Sequence, residues 1–325
     1  YRALCFLVVS CPCALVISVP LSYFAGIGAC AKSGIMIKGA NYLETLAKTD
    51  VVVFDKTGTL TEGKFEVSEI YAVSGHSNDE LIEICAYAEN FSNHKIAKSI
   101  LKAYKEIFHG KEINNAWIDG YEEWVGMGIK ANIFMQDVLV GNAKLLKEHE
   151  VSFVEVNNKA GTILYVAIAG EFAGYVVVSD TLKADAKQAV EDLKAIGIND
   201  ISLCTGDEEN VANAISAKIG ITNSYSGLLP ADKVLIITDK VQEGKTVAFV
   251  GDGINDAPSL ANSNVGISMG GLGSDIAVEA SDVVIMTDEP SKVAKAIKKA
   301  KKTRRIVMQN IVGSIAIKVA ILGLI

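Results

Sequence analysis

The sequence has no Gly-x-x-x-x-Gly-Lys-Ser/Thr segment, which excludes a phosphate-cradling P-loop as its means of holding a nucleotide. It has no excess of positive charge. Against 38 Asp and Glu there are 31 Lys and Arg, a net charge of −7 that argues against a nucleic-acid partner. Its cysteines (Cys5, Cys11, Cys13, Cys30, Cys85 and Cys204) lack the spacing of a secreted disulfide framework. Cys5, Cys30, Cys85 and Cys204 read as small buried hydrophobes, and the compartment of the soluble part reads as reducing. No basic n-region of a cleavable signal precedes the first apolar run, and no repeat or low-complexity tract is evident. The chain opens on Tyr1 and stops at Ile325 inside an apolar run, so a longer polypeptide is expected.

What is present is apolar at both ends. Ala3 to Ala31 carries no charge and exceeds the roughly 20 residues that cross a bilayer, although Pro12 and Pro20 must kink or unwind a helix there. Ile306 to Ile325 is a second expected span with one charge, Lys318. Lys32 and Lys38 follow the first span. Lys295, Lys298, Lys299, Lys301, Lys302, Arg304 and Arg305 precede the second, so the intervening region is expected to be cytoplasmic. The organisation expected is a kinked span over 1–31, a stalk over 32–48, an α/β domain over 49–63 and 179–290, an inserted α+β domain over 64–178, a basic stalk over 291–305, and a truncated span over 306–325 of a multi-pass protein, with the plasma membrane the expected location.

The α/β assignment rests on short continuous apolar runs alternating with helical patterns. The runs are Val51–Phe54, Ile201–Cys204, Val247–Val250, Val265–Ile267 and Val283–Met286; Ala184–Ile196 and Val211–Ile219 read as helices. The inserted domain holds both Trp and all four His, and Gly128–Phe134, Val138–Val140, Ile163–Ala169 and Phe172–Val178 read as antiparallel strands.

Three of the parallel strands end in polar loops, where open α/β sheets collect reactive groups. Asp55 follows the first, in Asp55-Lys56-Thr57-Gly58-Thr59-Leu60-Thr61. A carboxylate there can attack a phosphoryl group and form a covalent intermediate. Acidic groups beside it are needed to hold Mg²⁺, which takes oxygen ligands and neutralises the transferring phosphate. The loop Gly251 to Pro258 offers Asp252, Asn255 and Asp256. Thr205-Gly206-Asp207 offers a hydroxyl and backbone amides, and Lys233 is a cation able to balance phosphate charge.

These motifs, in this order, resemble the P-type ATPases, built on a haloacid-dehalogenase-like Rossmannoid fold. The resemblance covers essentially the whole chain. It implies that Asp55 is phosphorylated by ATP, that Thr57 offers a backbone carbonyl and Asp252 a carboxylate to Mg²⁺, and that Thr205 and Lys233 hold the phosphoryl group. Soluble phosphatases of this fold usually carry a second Asp two positions after the nucleophile; Thr57 stands there instead. Without that local base the acyl-phosphate is expected to persist, as a pump requires. The family's water-activating Thr-Gly-Glu motif, on an actuator domain, is absent from this sequence.

The inserted domain offers Glu89, His94, Gly126, Gly128, Gly141 and Asn142, which together resemble the nucleotide domain of heavy-metal P-type ATPases. There the Glu and His contact adenine and the glycines admit backbone to the nucleotide. His94 is followed by Lys95 where the family usually has Pro, a change expected to alter the local turn.

Cys11-Pro12-Cys13 in the first span puts two thiols at a helix break, a pairing that favours soft or borderline ions. It is similar to the heavy-metal branch. Lys318, a charge inside a span, marks a functional position. Together with the absence of the Tyr-Asn pair typical of copper pumps, it points to Zn²⁺, Cd²⁺ or Pb²⁺ rather than Cu⁺. The alternatives are a Cu⁺ pump, a membrane-tethered phosphohydrolase, a metal-binding module without transport, and a potassium-pump relative. The partners expected are ATP, the metal ion, the bilayer, and the actuator domain and further membrane helices of the same polypeptide.

Overall fold

The computed structural model describes residues 13–92, 94–156, 159, 161–253, 256–270 and 279–324, without the side chains of Cys13, Ala14, Leu322 and Leu324. The chain forms two compact units, one of residues 1–61, 183–207 and 216–325, the other of residues 62–182 and 208–215.

The first unit is built on a seven-stranded sheet among the described residues. Its strands are β1 (Ile35–Ile37), β2 (Val51–Asp55), β9 (Asp200–Cys204), β10 (Asn223–Tyr225), β11 (Val247–Gly251), β12 (Val265–Met269) and β13 (Val283–Ile285), in the order β1-β13-β12-β11-β2-β9-β10. All pairs are parallel except β1 with β13. Val51, Val52, Val53 and Phe54 are wholly buried, as a central strand covered on both faces must be. The expected apolar runs are the strands. Two short ones, β1 and β10, escaped the sequence reading because three residues carry no readable period.

The second unit holds a six-stranded sheet in the order β3-β8-β7-β6-β5-β4, where β3 is Thr61–Ala72, β4 Ile118–Trp124, β5 Gly128–Ile133, β6 Gln136–Gly141, β7 Thr162–Ile168 and β8 Glu171–Leu182. The pairs from β4 to β8 are antiparallel. Side chains alternate across it. Leu164, Val166 and Ile168 join Ile129, Ala131 and Ile133 beneath the helices Asn78–Ala88 and Lys95–Ile107, whereas Tyr165 and Ala167 join Leu145, Leu146 and Val177 in a second core. The sequence reading missed β3 and β4. β3 alternates exposed polar and half-buried residues, and β4 has no fully buried residue.

The expected basic stalk and the expected second span lie on one continuous helix, Ser291–Leu324. No proline interrupts it, and its Lys/Ala-rich first half is a strong helix former. That half buries Val293, Ala296, Ile297, Ala300 and Val307. The helix Cys13–Ala31 packs along it. Asn310 Nδ2 donates to Ser22 Oγ at 3.0 Å, and Lys299 donates to Ser33 Oγ at 2.6 Å and to the carbonyl of Ala29. Among the described residues no helix is long and apolar enough to cross a membrane, so the expected pair of spans is not met there. The first expected span is described only from Cys13 onward.

The helix Asn78–Ala88 opens with a capping box. Ser77 Oγ accepts from Glu80 N at 3.1 Å and Glu80 Oε2 accepts from Ser77 N at 3.4 Å. Ser77→Ala is expected to lower the stability of the second unit by about 1 kcal/mol in urea unfolding. An unchanged midpoint would show that the cap contributes nothing.

Candidate active site

Strand register gathers the three polar loops. Asp55 pairs with Cys204, so Thr205 is the next residue on β9's edge; Phe54 pairs with Val250, so Gly251 and Asp252 follow at the same edge. Asp55 is buried at the end of β2. Lys233, on the helix Pro230–Gln242, donates to Asp55 Oδ1 at 2.5 Å and to Asp256 Oδ1 at 2.8 Å, and all three side chains are nearly inaccessible. Gly251 permits this approach: a Cβ there would stand 2.9 Å from Asp256 Oδ2.

The electrostatics follow from burial. Desolvation, then the neighbouring Asp256 charge, push the Asp55 carboxyl up to about 7, although Lys233 pulls the other way. Burial also raises Asp256. Burial alone would lower the Lys233 ammonium, but the carboxylates of Asp55 and Asp256 outweigh it and raise it.

The turn after Asp55 is irregular. Thr57 is extended (φ −76°, ψ 127°) and Gly58 left-handed (φ 72°). A side chain at Gly58 would also meet Asp252, with a Cβ 3.2 Å from its Oδ2, so the Asp252 carboxylate lies against this turn. Lys56, almost buried, pairs with Asp207 Oδ2 at 2.5 Å. Thr205 Oγ1 accepts from Asp207 N at 3.1 Å, which shapes the Thr205-Gly206-Asp207 loop. Asn255 lies outside the described residues.

This donor set suits a divalent cation of the Mg²⁺ type. Asp55 and Asp252 supply two carboxylates beside an irregular turn whose Thr57 and Gly58 are half-buried, and the Thr59 hydroxyl in that turn is buried with no partner among the described residues. Among the described residues no three His, Cys, Asp or Glu side chains form a ready metal cage. Mg²⁺ asks for less, taking one or two carboxylates and filling its remaining positions with water and substrate phosphate.

In the second unit, Glu89 is buried at the start of a short 3₁₀ turn, Glu89–Phe91, which Ser92 ends. His94 Nδ1 accepts from Ile96 N at 3.3 Å and caps the helix Lys95–Ile107. Lys95 is thus the first residue of a helix, a position that also suits proline, since its N–H has no partner within the helix. His94 already has the extended backbone (φ −65°, ψ 149°) that a following proline would impose.

Gly126, Gly128, Gly141 and Asn142 form a second group. Gly128 and Gly141 pair across β5 and β6, where a Cβ on Gly128 would stand 2.3 Å from Val140 O and one on Gly141 2.2 Å from Met127 O. Asn142 Nδ2 donates to Gly126 O at 2.8 Å, and Asn142 Oδ1 accepts from Lys144 N and Leu145 N. Gly128 and Gly141 are required by the strand packing itself, whatever else they do, whereas a Cβ on Gly126 would meet nothing.

Cys11 lies outside the described residues, as does the Cys13 side chain; Cys13 opens the helix Cys13–Ala31. Lys318 is half-buried on the helix Ser291–Leu324. One residue escaped the sequence reading altogether. Lys183 is buried and donates to Gly58 O at 2.9 Å and to Asp288 Oδ1 at 2.8 Å. A single lysine after an apolar strand carries no signal of this.

Residues 49–264 match the haloacid dehalogenase-like hydrolase family. The catalytic domain of the CPx-ATPase CopB-B is 30% identical, with a TM-score of 0.64 over 84% of this chain and 98% of that one. The chain belongs to the haloacid dehalogenase-like hydrolases, in their P-type ATPase branch. Among relatives of this ATPase chain, a cadmium, zinc and cobalt-transporting ATPase of Bacillus subtilis (strain 168) is 49% identical over 98% of the chain and 45% of the relative. A zinc-transporting ATPase of Synechocystis sp. is 47% identical over 100% of the chain and 44% of the relative. A copper-exporting P-type ATPase of Staphylococcus haemolyticus is 38% identical over 95% of the chain and 38% of the relative. The crystal structure of a zinc-transporting PIB-type ATPase in the E2.Pi state superposes with a TM-score of 0.83 at 34% identity, over 97% of this chain and 51% of that one. The chain spans less than half the length of the curated relatives it matches.

Two outcomes follow from the charges. Lys233→Met leaves two buried carboxylates facing each other without a counter-charge and is expected to cost about 3–5 kcal/mol at neutral pH. Adding Asp55→Asn in the same chain should recover much of it; equal melting of both variants would remove Lys233 as the bridge. In the second unit, burial raises the Glu89 carboxyl to about 6, above the ordinary 4.5, against a hydrogen bond from Ser92 that lowers it. The folded form therefore holds its proton more tightly than the unfolded one, and stability falls as pH rises from 4.5 to about 6. Glu89→Gln should be more stable than wild type by about 1–2 kcal/mol at pH 7.5 and indistinguishable at pH 4. A constant difference across that range would assign the effect to packing instead.

Proposed function

We propose that this chain is the catalytic portion of an ATP-driven heavy-metal cation pump that cycles through an aspartyl-phosphate at Asp55. The observation that carries the reading is the buried Asp55 carboxylate, bridged by Lys233 to Asp256 and flanked by the Asp252 and Thr205 loops at one edge of a parallel sheet. An Asp55 oxygen attacks the γ-phosphorus of ATP, the bond from that phosphorus to the ADP oxygen breaks, and ADP leaves. When Mg²⁺ is bound, held by Asp55, Asp252 and the Thr57 carbonyl, it neutralises charge on the transferring phosphoryl group. Lys233 supplies a fixed positive charge to the same oxygens, and Thr205 and the Gly206–Asp207 amides offer hydrogen bonds to them. Lys56, paired with Asp207, anchors that loop to the Asp55 turn.

Thr57 two positions after Asp55 supports a persistent acyl-phosphate, because it cannot act as a general base there. Glu89, His94 and the Gly126–Gly128 turn are the proposed adenine and phosphate contacts of ATP. The catalytic units are proposed to be cytoplasmic parts of a multi-pass membrane protein, with Cys11, Cys13 and Lys318 in its transport site. The actuator domain and further membrane helices would come from the same polypeptide. The cation is Zn²⁺, Cd²⁺ or Pb²⁺. Relatives named for zinc and cadmium transport reach 49% identity, whereas the copper exporter reaches 38%, and Lys318 with the Cys-Pro-Cys segment suits the former group.

In the full-length protein, Asp55→Ala should abolish acid-stable label from γ-³²P-ATP, and Zn²⁺ or Cd²⁺ should stimulate labelling of wild type at least fivefold more than Cu⁺. Label surviving in Asp55→Ala would end the aspartyl-phosphate reading, and stimulation by Cu⁺ alone would transfer the chain to the copper pumps.

A further inference from the structure

The Lys56–Leu60 turn needs holding from outside. With Thr57 extended and Gly58 left-handed, it departs from helical geometry in its middle, although Thr61 closes it, its backbone N–H and its Oγ1 (at 3.0 Å) both donating to Lys56 O. Lys183 grips it at two points. Its backbone N–H donates to Leu60 O at 2.9 Å, and its ammonium donates to Gly58 O at 2.9 Å. The same ammonium pairs with Asp288 Oδ1 at 2.8 Å, with the lysine side chain only 7% exposed. Charge compensation alone would be met by Asp288. The second bond, to a neutral carbonyl next to Thr57, directs the lysine at the turn.

Asp288 lies in the loop from which the helix Ser291–Leu324 departs, in a left-handed conformation (φ 59°). That loop is tied down on several sides. Ser291 N donates to Asp185 Oδ2 at 2.9 Å, two residues on from Lys183. Met286 N donates to Gly34 O at 2.9 Å, just past the helix Cys13–Ala31, and Lys292 Nζ donates to Thr287 Oγ1 at 2.5 Å.

We propose that Lys183 is a positioning residue for phosphorylation at Asp55: its ammonium fixes the Lys56–Leu60 turn and ties it, through Asp288, to the root of the helix Ser291–Leu324. The inference rests on the aspartyl-phosphate reading. Lys183 touches no reacting atom. It acts by setting where the Thr57 and Gly58 carbonyls point, and so where Asp55 stands relative to its oxygen donors. A one-ångström displacement of such groups is enough to slow a reaction about a hundredfold.

The test uses the full-length protein with Lys183→Met, Lys183→Arg and Asp288→Asn. Single-turnover labelling of Asp55 from γ-³²P-ATP gives the rate at saturating ATP and the ATP concentration at half-maximal rate. Amide hydrogen exchange over residues 56–61 and 286–292 reports the turn and the helix root. Lys183→Met is expected to slow labelling about tenfold or more, with half-saturation by ATP within about twofold, and to speed exchange at 56–61 about tenfold while the second unit is unaffected. Lys183→Arg should recover most of the rate. Asp288→Asn, which leaves the bond to Gly58 possible, should speed exchange at 286–292 and slow labelling less than Lys183→Met does. Wild-type labelling and exchange in Lys183→Met would overturn the proposal. So would exchange that rises uniformly through both units, or an Arg variant as impaired as Met. If wild type takes no label at all, the aspartyl-phosphate reading fails, and the exchange data still decide whether Lys183 holds the turn.

Discussion

Everything at the sheet edge is arranged around one ammonium shared by two buried carboxylates. Lys233 reaches Asp55 and Asp256 at once, and neither acid has water enough to carry its charge alone. The arrangement is costly to desolvate and is retained only because the three groups compensate one another. Burial keeps the Asp55 carboxyl near neutral pKa, so its ionisation is governed by the charges that arrive beside it. The Asp55 carboxylate is desolvated and accompanied by a cation.

The scaffold explains how three loops distant in sequence meet. Parallel strands place their carboxyl ends on one side, and the register of β2 with β9 and β11 puts Asp55, Thr205 and Asp252 at consecutive positions on it. Glycine makes the closeness possible at Gly251, where any Cβ would crowd Asp256, and at Gly58, where it would meet Asp252. The second unit uses the same device for a different end. Gly128 and Gly141 bring two antiparallel strands together, and Asn142 locks the turn carrying Gly126.

The sequence made the strands of the first unit legible because each is buried on both faces and reads as an unbroken apolar run followed by polar loop residues. Asp55, Lys233, Asp252 and Asp256 were likewise visible, as chemistry-bearing residues at strand ends or on the helix between them. The strands β3 and β4 were not, because their half-exposed faces blur the two-residue period. The expected basic stalk runs into the apolar segment as one helix, because composition changes there without any residue that breaks a helix. Lys183 was illegible for a different reason. Its partners, Gly58 and Asp288, are more than a hundred residues away on either side, and the bond to Gly58 is to a backbone carbonyl, which leaves no mark in side-chain identity.

The unbroken helix Ser291–Leu324 is a stiff rod. At 1.5 Å per residue its 34 residues reach about 51 Å, with one end rooted beside the Lys183–Asp288 pair. A tilt of about 10° at the root sweeps the distal turn through roughly 9 Å. An ångström-scale shift around the Lys56–Leu60 turn is thereby geared up into a displacement several times larger at the far end of the rod.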